Sequence, residues 1–422
     1  MAARTTALWL ITPGEPLPFD GDDVRLLRTG IFFEDLAQRG VAVDWWTAGF
    51  DHANRTHRTR TLKSVQRAPT GRIIMVPSSG YGRSVSPRRL LDHRVIARNF
   101  TAAANKVEPP DVIYCSYPTI ALSRAVVAYG LKTDTPVMLD MRDLWPDVIW
   151  DSVVGERLRR LRSPALLPMR RSASWAIRNA TAIIGLTEEY VDWALDLAGR
   201  RRGPLDRAIP VTYPSHEPVA EADRPAALAF WKGLGVDLQA DWIACFLGTM
   251  GRQFDFGPVV QAARSLAASH PHLRVVLCGE GDGFEALKTE SANTPNLCLP
   301  GWVDGPNRKL LLERARVGLA PYEPSENFRR NLANKPVEYF AHELPVLYPI
   351  DGVLDRVCTE GGCGLRYRSA QELAAHLAAL ADDAPRLGEL SANARARFEG
   401  HHRPDAVTDL LLAHRQEVLD AR

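Results

Sequence analysis

The N-terminal half of the chain alternates short apolar runs with amphipathic segments. Residues 6–12 and 41–47 are continuous apolar runs, and such runs are typical of strands buried on both faces of a parallel sheet. Between them, residues 22–40 place apolar side chains at helical spacing, with Asp22 and Asp23 as the predicted helix start. A strand, a helix and a strand in this order predict a parallel β-α-β unit.

The same alternation continues to about residue 214. Strands are predicted at residues 111–117, 136–141, 180–187 and 208–214, with helices at 97–107 and 119–131. Residues 215–225 are polar, contain prolines and have few apolar side chains, which is typical of a linker between domains.

A second α/β series follows this linker. Strands are predicted at residues 242–248, 273–279, 296–301, 317–322 and 345–349. Helices are predicted after Gly257 and Pro258, at 307–315 and at 335–342, and the last 50 or so residues are helical.

The sequence therefore predicts an α/β protein with two Rossmann-like, doubly wound domains facing each other across a cleft. We expect a first domain at residues 1–205, a second at 223–400, and a C-terminal helix at 401–422 that packs back on the first. Ligands of such sheets bind at the carboxyl ends of the strands, so the cleft is the expected site.

Composition narrows the class of protein. Apolar residues make up 45% and charged residues 24%, near the averages of soluble proteins. The 52 Lys and Arg against 50 Asp and Glu exclude a uniformly basic nucleic-acid-binding surface. The six scattered cysteines are expected to be reduced thiols, and no apolar run reaches the ~18 residues of a membrane span. We expect a cytoplasmic protein, at most peripheral to a membrane.

The segment 322–349 holds the most informative polar cluster. Asn334, Lys335 and Glu338 fall at the start of a predicted helix. Lys335 is suited to a diphosphate, and Glu338 to accepting two hydrogen bonds from a ribose diol. A Glu near a helix N-terminus also interacts favourably with the helix dipole. From spacing alone the two interpretations of Glu338 are about even.

Three strand-end loops of the second series carry glycines, which let a backbone approach an anion closely. They are residues 247–257 with Gly248, Gly251 and Arg252, residues 278–288 with Gly279, and residues 299–305 with Val303. Backbone groups at Val303 are suited to the edge of a base. Each loop alone is a weak signal, because turns require glycine anyway.

In this order, the four features resemble the C-terminal domain of the family 4 retaining glycosyltransferases, which have the GT-B architecture. Residues 108–147, which include the sequence RDLWP, and residues 41–58 are similar to the N-terminal halves of bacterial exopolysaccharide and O-antigen transferases of that family. The resemblance extends over about 390 residues.

The resemblance assigns roles position by position. Glu338 matches the second Glu of the family's Glu-x7-Glu pair, and Arg330 stands where the first should be, so Asn331, Asn334 or backbone groups are expected to contact the sugar instead. Thr249 and Phe256 occupy the positions of the family's diphosphate-binding cations. Arg252 and Lys335 are the expected substitutes.

The resemblance also implies a reaction without metal or cofactor. Arg142 and Asp143 stand where many members carry a His facing the donor sugar, so we expect Asp143 to orient the acceptor hydroxyl and Arg142 to pair with a phosphate or with Asp143. A buried structural ion pair is the alternative. The candidates for holding the acceptor are Glu15, Arg25, Arg28, His52, Arg58 and Tyr81.

A basic amphipathic segment runs from residue 156 to 178, with Arg interleaved with Leu, Met and Trp. Because acceptors of the family are often lipid-linked, we expect it to contact an anionic membrane surface. A solvated helix with one face in the core is the alternative.

The resemblance thus implies a retaining, metal-independent glycosyltransferase of surface polysaccharide assembly. It would use a nucleotide-diphosphate sugar, UDP before GDP, and a lipid-linked or saccharide acceptor. A nucleotide-sugar 2-epimerase of similar fold and a non-catalytic nucleotide-sugar binder are the alternatives.

Overall fold

The computed structural model describes residues 7–21, 24–83, 86–149, 166–303 and 305–422. The chain divides into two compact units. The N-terminal unit comprises Met1–Thr212 together with Pro404–Arg422, and the C-terminal unit comprises Tyr213–Arg403.

The strands and helices alternate along both units. The strands are β1 (Leu8–Ile11), β2 (Val43–Ala48), β3 (Phe50–Asp51), β4 (Thr56–His57), β5 (Lys63–Ala68), β6 (Gly71–Val76), β7 (Val112–Tyr117), β8 (Val137–Met141), β9 (Ala182–Gly185), β10 (Arg207–Ala208), β11 (Trp242–Leu247), β12 (Leu273–Cys278), β13 (Leu297–Gly301), β14 (Val317–Leu319), β15 (Val346–Tyr348) and β16 (Gly364–Arg366). The helices are α1 (Arg28–Gln38), α2 (Pro87–Ala104), α3 (Ile120–Thr133), α4 (Leu167–Asn179), α5 (Glu188–Ala198), α6 (Arg224–Gly233), α7 (Gly257–Leu266), α8 (Phe284–Ser291), α9 (Gly305–Arg314), α10 (Glu326–Arg329), α11 (Asn334–Ala341), α12 (Val353–Gly361), α13 (Ala370–Asp382), α14 (Ala384–His401) and α15 (Pro404–Asp420).

The sheet of the N-terminal unit has the order β10-β9-β8-β7-β1-β2-β6-β5. Neighbouring strands pair in parallel from β10 through β9, β8, β7, β1 and β2 to β6. At the edge, β5 pairs antiparallel with β6. Neighbouring residues of β2 point to opposite faces, as the period of a strand requires. Trp45 packs against Phe33 of α1, and Trp46 packs against Trp9 on the other face. Both faces are therefore covered by apolar side chains.

The sheet of the C-terminal unit is parallel throughout, in the order β13-β12-β11-β14-β15-β16. Its strands are apolar at nearly every position because helices cover both faces. The first strand, β11, lies inside the sheet, and the order of strands reverses beside it. This reversal is the place where open α/β sheets bind ligands.

Helix α15 completes the N-terminal unit. Val407, Leu411 and Val418 are fully buried in the same apolar cluster as Phe33 and Leu36 of α1. Polar contacts fix both ends of the helix, since Arg39 bonds Asp405 and Asp409 and Arg207 pairs with Glu417.

The predicted fold class is confirmed, and some predicted elements are wrong. The strand expected at 208–214 is reduced to β10, and the hairpin of β5 and β6 was not predicted.

Helix α1 begins at Arg28, after the start expected at Asp22 and Asp23, which lie outside the described residues. The Glu15 carboxylate accepts hydrogen bonds from the N–H groups of Thr29 and Gly30, so a distant loop caps this helix. Among the described helices, none is long and apolar enough to cross a membrane.

Candidate functional site

The carboxyl ends of β11 and β12 are joined through their glycines. The N–H of Gly248 donates to Cys278 O at 3.0 Å, and the N–H of Gly279 donates to Gly301 O at 2.7 Å. Both glycines have a positive φ, 141° and 146°, and a Cβ on Gly279 would collide with Gly248 O. Glycine is therefore required here for two strand-end loops to stack on each other.

Lys335 lies over the end of β11. Its ammonium donates to Leu247 O and lies 4.7 Å from the ring centroid of Phe246 and 5.4 Å from that of Phe254. A Cβ on Gly248 would collide with this ammonium. Two predicted donor-binding residues, Gly248 and Lys335, are thus in direct contact, and a positive charge stands at the reversal of strand order.

Glu338 is 1% exposed and is the fifth residue of α11, in its second turn. Glu338 thus lies beyond the first turn, where the sequence would place it, and the helix dipole contributes little at this distance from the helix N-terminus. Its Oε1 accepts hydrogen bonds from the Tyr213 hydroxyl at 3.0 Å and from Arg308. Sequence reasoning found Glu338 and missed both of these partners.

The other predicted donor residues surround this cluster with different exposure. Val303 is buried two residues after β13, and Asn334 is exposed as the first residue of α11. Asn331 is half-buried between α10 and α11. Gly251 and Arg252 lie in the loop after β11, where Arg252 is exposed.

Arg330, which stands where the family has its first Glu, ends helix α10. Its Nε donates to Glu326 Oε2 at 3.2 Å, four residues earlier on the same helix. The position is therefore part of a partly exposed ion pair.

The N-terminal unit has a buried charge network centred on Asp140 of β8. Asp140 is fully buried, and its Oδ2 accepts from Arg28 Nε at 3.1 Å, from Arg142 Nε at 2.6 Å and from the Tyr114 hydroxyl. Burial raises the pKa of Asp140, but the two arginines and Tyr114 lower it overall, so Asp140 is a carboxylate.

Arg142 extends the network to the end of β1. It pairs with Glu15, and its Nη2 donates to Thr29 Oγ1 at 2.8 Å. Burial opposes its charge, but Tyr114, Glu15 and Asp140 raise the pKa of Arg142 well above its ordinary value. Arg142 therefore pairs with Asp140 and Glu15, and the expected pairing with Asp143 is wrong. Asp140 and Arg142 are two residues apart at the end of a strand, and residues at this spacing point to the same face of a sheet. This spacing in the sequence could have indicated that the two side chains form a pair.

A pocket of about 170 Å³ opens beside Arg142. Its walls come from the carboxyl ends of β1, β2, β7 and β8 and from α2. The predicted residues His52 and Tyr81 line it, joined by a bond of 2.5 Å between Nδ1 and the hydroxyl. Residues of α2 that the sequence did not single out also line it: Arg89, Asp92 and His93.

Both histidines of the pocket are neutral. Burial, with the charge of Arg89, lowers the pKa of His52 to about 4 and that of His93 to about 4. Asp92 is buried, and its Oδ1 accepts hydrogen bonds from Ser78, Ser79 and Gly80. At neutral pH the pocket therefore offers neutral imidazole and hydroxyl groups with Arg89 nearby.

Five predicted residues of this unit lie outside the pocket lining, and one of them, Glu15, pairs with Arg142. Arg28 is buried in the Asp140 network, and Arg58 pairs with Asp20 and Asp51. Arg25 is half-buried outside the pocket lining. Asp143 accepts a hydrogen bond from the N–H of Leu144 at 2.9 Å.

The basic segment 156–178 is described only from residue 166 onward. There Arg170 pairs with Asp147, and Arg178 donates to Ala198 O, so these two charges have partners inside the protein. Arg171 and Leu167 are exposed on α4.

Known proteins are similar to this chain both in the sequence of the C-terminal unit and in fold. Residues 243–383 match the model of the family "Glycosyl transferases group 1". No curated protein sequence matches the chain. Sucrose-phosphate synthase from Thermosynechococcus elongatus is similar in structure, with a TM-score of 0.72 and 16% identity over 99% of this chain and 100% of that one.

Two further solved structures are similar. Anabaena HepE in complex with UDP has a TM-score of 0.64 and 13% identity over 99% of this chain and 100% of that one. WaaG, a glycosyltransferase involved in lipopolysaccharide biosynthesis, has a TM-score of 0.60 and 14% identity over 96% and 99%. The chain therefore has the GT-B fold, and its residues 243–383 match a group 1 glycosyltransferase domain.

Proposed function

We propose that the chain transfers a sugar from a nucleotide-diphosphate sugar to a lipid-linked or saccharide acceptor, with retention of anomeric configuration, in surface polysaccharide assembly. The observation that supports the donor is the convergence of Gly248, Lys335 and Glu338 at the carboxyl ends of one parallel sheet. A strand-end backbone without a side chain lets a phosphate approach closely, a cation suits the charge of the diphosphate, and a buried carboxylate can accept hydrogen bonds from the ribose diol.

Each group has a separate role in this proposal. Lys335 receives the diphosphate beside the glycine-containing loop at the end of β11, and the negative charge of the diphosphate increases as the bond to the sugar breaks. Glu338 accepts hydrogen bonds from the ribose diol, and the backbone at Val303 contacts the base. UDP is the proposed nucleotide, supported by the solved structures of Anabaena HepE with UDP and with UDP-glucose.

The acceptor is proposed to bind at the pocket of the N-terminal unit. His52 and Tyr81 line it together with Arg142, and Asp143 follows directly. Neutral imidazole and phenol groups suit sugar hydroxyls, which both donate and accept hydrogen bonds. Asp143 orients the reacting hydroxyl in this proposal. The proposed role of the protein in surface polysaccharide assembly is supported by the similarity to WaaG.

Calorimetric titration with UDP, GDP and ADP tests the donor site. We expect UDP to bind the parent protein and the Glu338→Gln variant to bind at least about tenfold more weakly, since a hydrogen bond to a charged group contributes about 1.5–3 kcal/mol. Glu326→Gln, which alters a partly exposed carboxylate of α10, is the matched control and should leave affinity unchanged. Equal UDP affinity in the parent and the Glu338→Gln protein would refute the assignment.

The ion pair of Arg330 with Glu326 favours one alternative, a protein that binds a nucleotide sugar without transferring it. Release of UDP from UDP-sugars with a mixture of acceptors distinguishes the two, because a binder releases none. Where transfer occurs, NMR of the product's anomeric proton tests retention, and unchanged activity in EDTA tests metal independence.

Association with an anionic membrane is proposed for the segment 156–178, supported by the exposed Arg171 and by Leu167, which is 46% exposed. Flotation with vesicles containing an anionic lipid tests it. Protein that stays at the bottom of the gradient would end this part of the proposal.

A further inference from the structure

Glu338 is held by side chains from two other elements of the C-terminal unit. The Tyr213 hydroxyl donates to Glu338 Oε1 at 3.0 Å and accepts from Arg308 Nη2 at 2.7 Å. Arg308 also donates to the same Oε1. Each of the three side chains thus contacts the other two, in a closed triangle.

The backbone around Arg308 is itself fixed. Arg308 is the fourth residue of α9, the helix that follows the loop at the end of β13. The indole N–H of the fully buried Trp231 donates to Asn307 O at 3.0 Å, which ties the beginning of α9 to α6. Arg308 therefore connects the loop proposed to contact the base with the helix proposed to contact the ribose.

The charges of the triangle stabilise each other. Burial lowers the pKa of Arg308, but Glu338 and Tyr213 raise it above its ordinary value overall. A fixed cation beside a buried carboxyl favours the ionised form of that carboxyl. An ionised carboxylate accepts hydrogen bonds and donates none, which is the form that a diol requires.

We propose that Arg308 and Tyr213 are positioning residues that hold the Glu338 carboxylate ionised and in one orientation for the ribose diol of the donor. The inference rests on the proposed function. It predicts that the selectivity for a ribonucleotide over its 2′-deoxy form depends on all three side chains together, because removal of one hydroxyl removes one of the two bonds to Glu338.

The test compares UDP with 2′-deoxy-UDP by calorimetry on the full chain, or GDP with 2′-deoxy-GDP if GDP binds more tightly. We expect the parent to bind UDP about tenfold more tightly than 2′-deoxy-UDP. Tyr213→Phe, Arg308→Gln and Glu338→Gln should each reduce this ratio toward one. The double variant Arg308→Gln/Glu338→Gln should reduce it no further than Glu338→Gln alone, since the residues act as one unit.

Lys309→Gln is the matched control, because it changes the next residue of the same helix, whose ammonium lies 3.9 Å from Glu217. It should keep the ratio of the parent. Thermal melting accompanies each titration, because a merely structural role would lower the melting temperature without changing the ratio. If Arg308→Gln does not fold, Tyr213→Phe, which loses a single oxygen atom, carries the test.

The possible failures are distinguishable. If none of the nucleotides binds the parent, the proposed function fails. If the parent binds UDP and 2′-deoxy-UDP equally, Glu338 has no ribose contact, and this inference falls with that assignment. If selectivity is lost in Glu338→Gln and intact in Tyr213→Phe and Arg308→Gln, the donor site stands and the positioning role is overturned.

Discussion

Asp140 and Glu338 are two buried carboxylates, one in each unit, and both are bound by arginine and tyrosine. Asp140 lies on a strand and is bound by two arginines, Arg28 and Arg142, with Tyr114. Glu338 lies on a helix and is bound by one arginine, Arg308, whose side chain is 22% exposed, with Tyr213.

The difference lies in the number of charged partners and in the surroundings of the two carboxylates. Around Asp140, Glu15 balances the second arginine, and Arg28 also donates to Ile209 O. That network connects β8, the loop after β1, helix α1 and the backbone at Ile209, so it stabilises the N-terminal unit. Glu338 stands about one helical turn from Lys335, which lies over Leu247 and Gly248 at the reversal of strand order, where a ligand is expected. The same residue types therefore serve stability in one unit and, in our proposal, recognition in the other.

The sharpest test of this contrast is Asp140→Asn. It leaves Arg28 and Arg142 with one carboxylate fewer in a buried site, so we expect a loss of about 3–5 kcal/mol in the free energy of unfolding. Urea denaturation followed by tryptophan fluorescence measures it. Asp44→Asn, which breaks the partly exposed pair with Arg72, should cost less than about 1 kcal/mol.

The contrast would be lost if Glu338→Gln destabilised the protein as much as Asp140→Asn while leaving UDP affinity unchanged. Glu338 would then be a structural residue like Asp140.

A smaller effect is expected for Gly248→Ala. A side chain there meets the Lys335 ammonium, and the φ of 141° is strained for any residue with a Cβ, at a cost of about 1–3 kcal/mol. Because Lys335 must move, we expect UDP affinity to fall along with the melting temperature. Gly388→Ala, in helix α14 with open space around it, should instead stabilise by about 0.5–1 kcal/mol. Unchanged UDP affinity in Gly248→Ala would separate this loop from the donor site.

The smallest expected effect is the pH dependence contributed by buried histidines. Burial lowers the pKa of His93 in the N-terminal unit and of His342 in the C-terminal unit from 6.5 to about 4. Between these values the unfolded chain binds more protons than the folded one, so stability is lost as the pH falls from 6.5 toward 4.

His93→Gln and His342→Gln should each flatten the decline of the melting temperature between pH 6.5 and 5. The exposed His272 provides the control, since His272→Gln should leave the slope of the parent. A parent melting temperature that does not change over this range would contradict the neutral state of both histidines.

Local patterns predicted the elements and part of the site. Buried strands ending in glycine located Gly248 and Gly279, and one-turn spacing placed Lys335 and Glu338 together. Short apolar runs identified the central strands because both faces of those strands are covered. Strand β5 (Lys63–Ala68) was missed because it is exposed and carries few apolar residues, whereas β6 (Gly71–Val76) was missed although its apolar run is typical of a buried strand.

The partners of the buried charges were not predictable in this way. Tyr213 reaches Glu338 across 125 residues of sequence, and Arg28 reaches Asp140 across 112. Such contacts depend on how helices are laid over the sheet, which no local spacing specifies. The helix start at Arg28 was misplaced for the same reason, since its cap, Glu15, comes from a separate loop.

The return of helix α15 to the first unit has a consequence for the order of folding during synthesis. The chain leaves that unit at Thr212 and re-enters it only at Pro404, so a ribosome completes the whole second unit before the residues that cover Phe33 and Leu36 emerge. Until then the nascent first unit exposes the apolar surface that Val407, Leu411 and Val418 later bury. Residues translated after the second unit are therefore the ones that cover this apolar surface of the first.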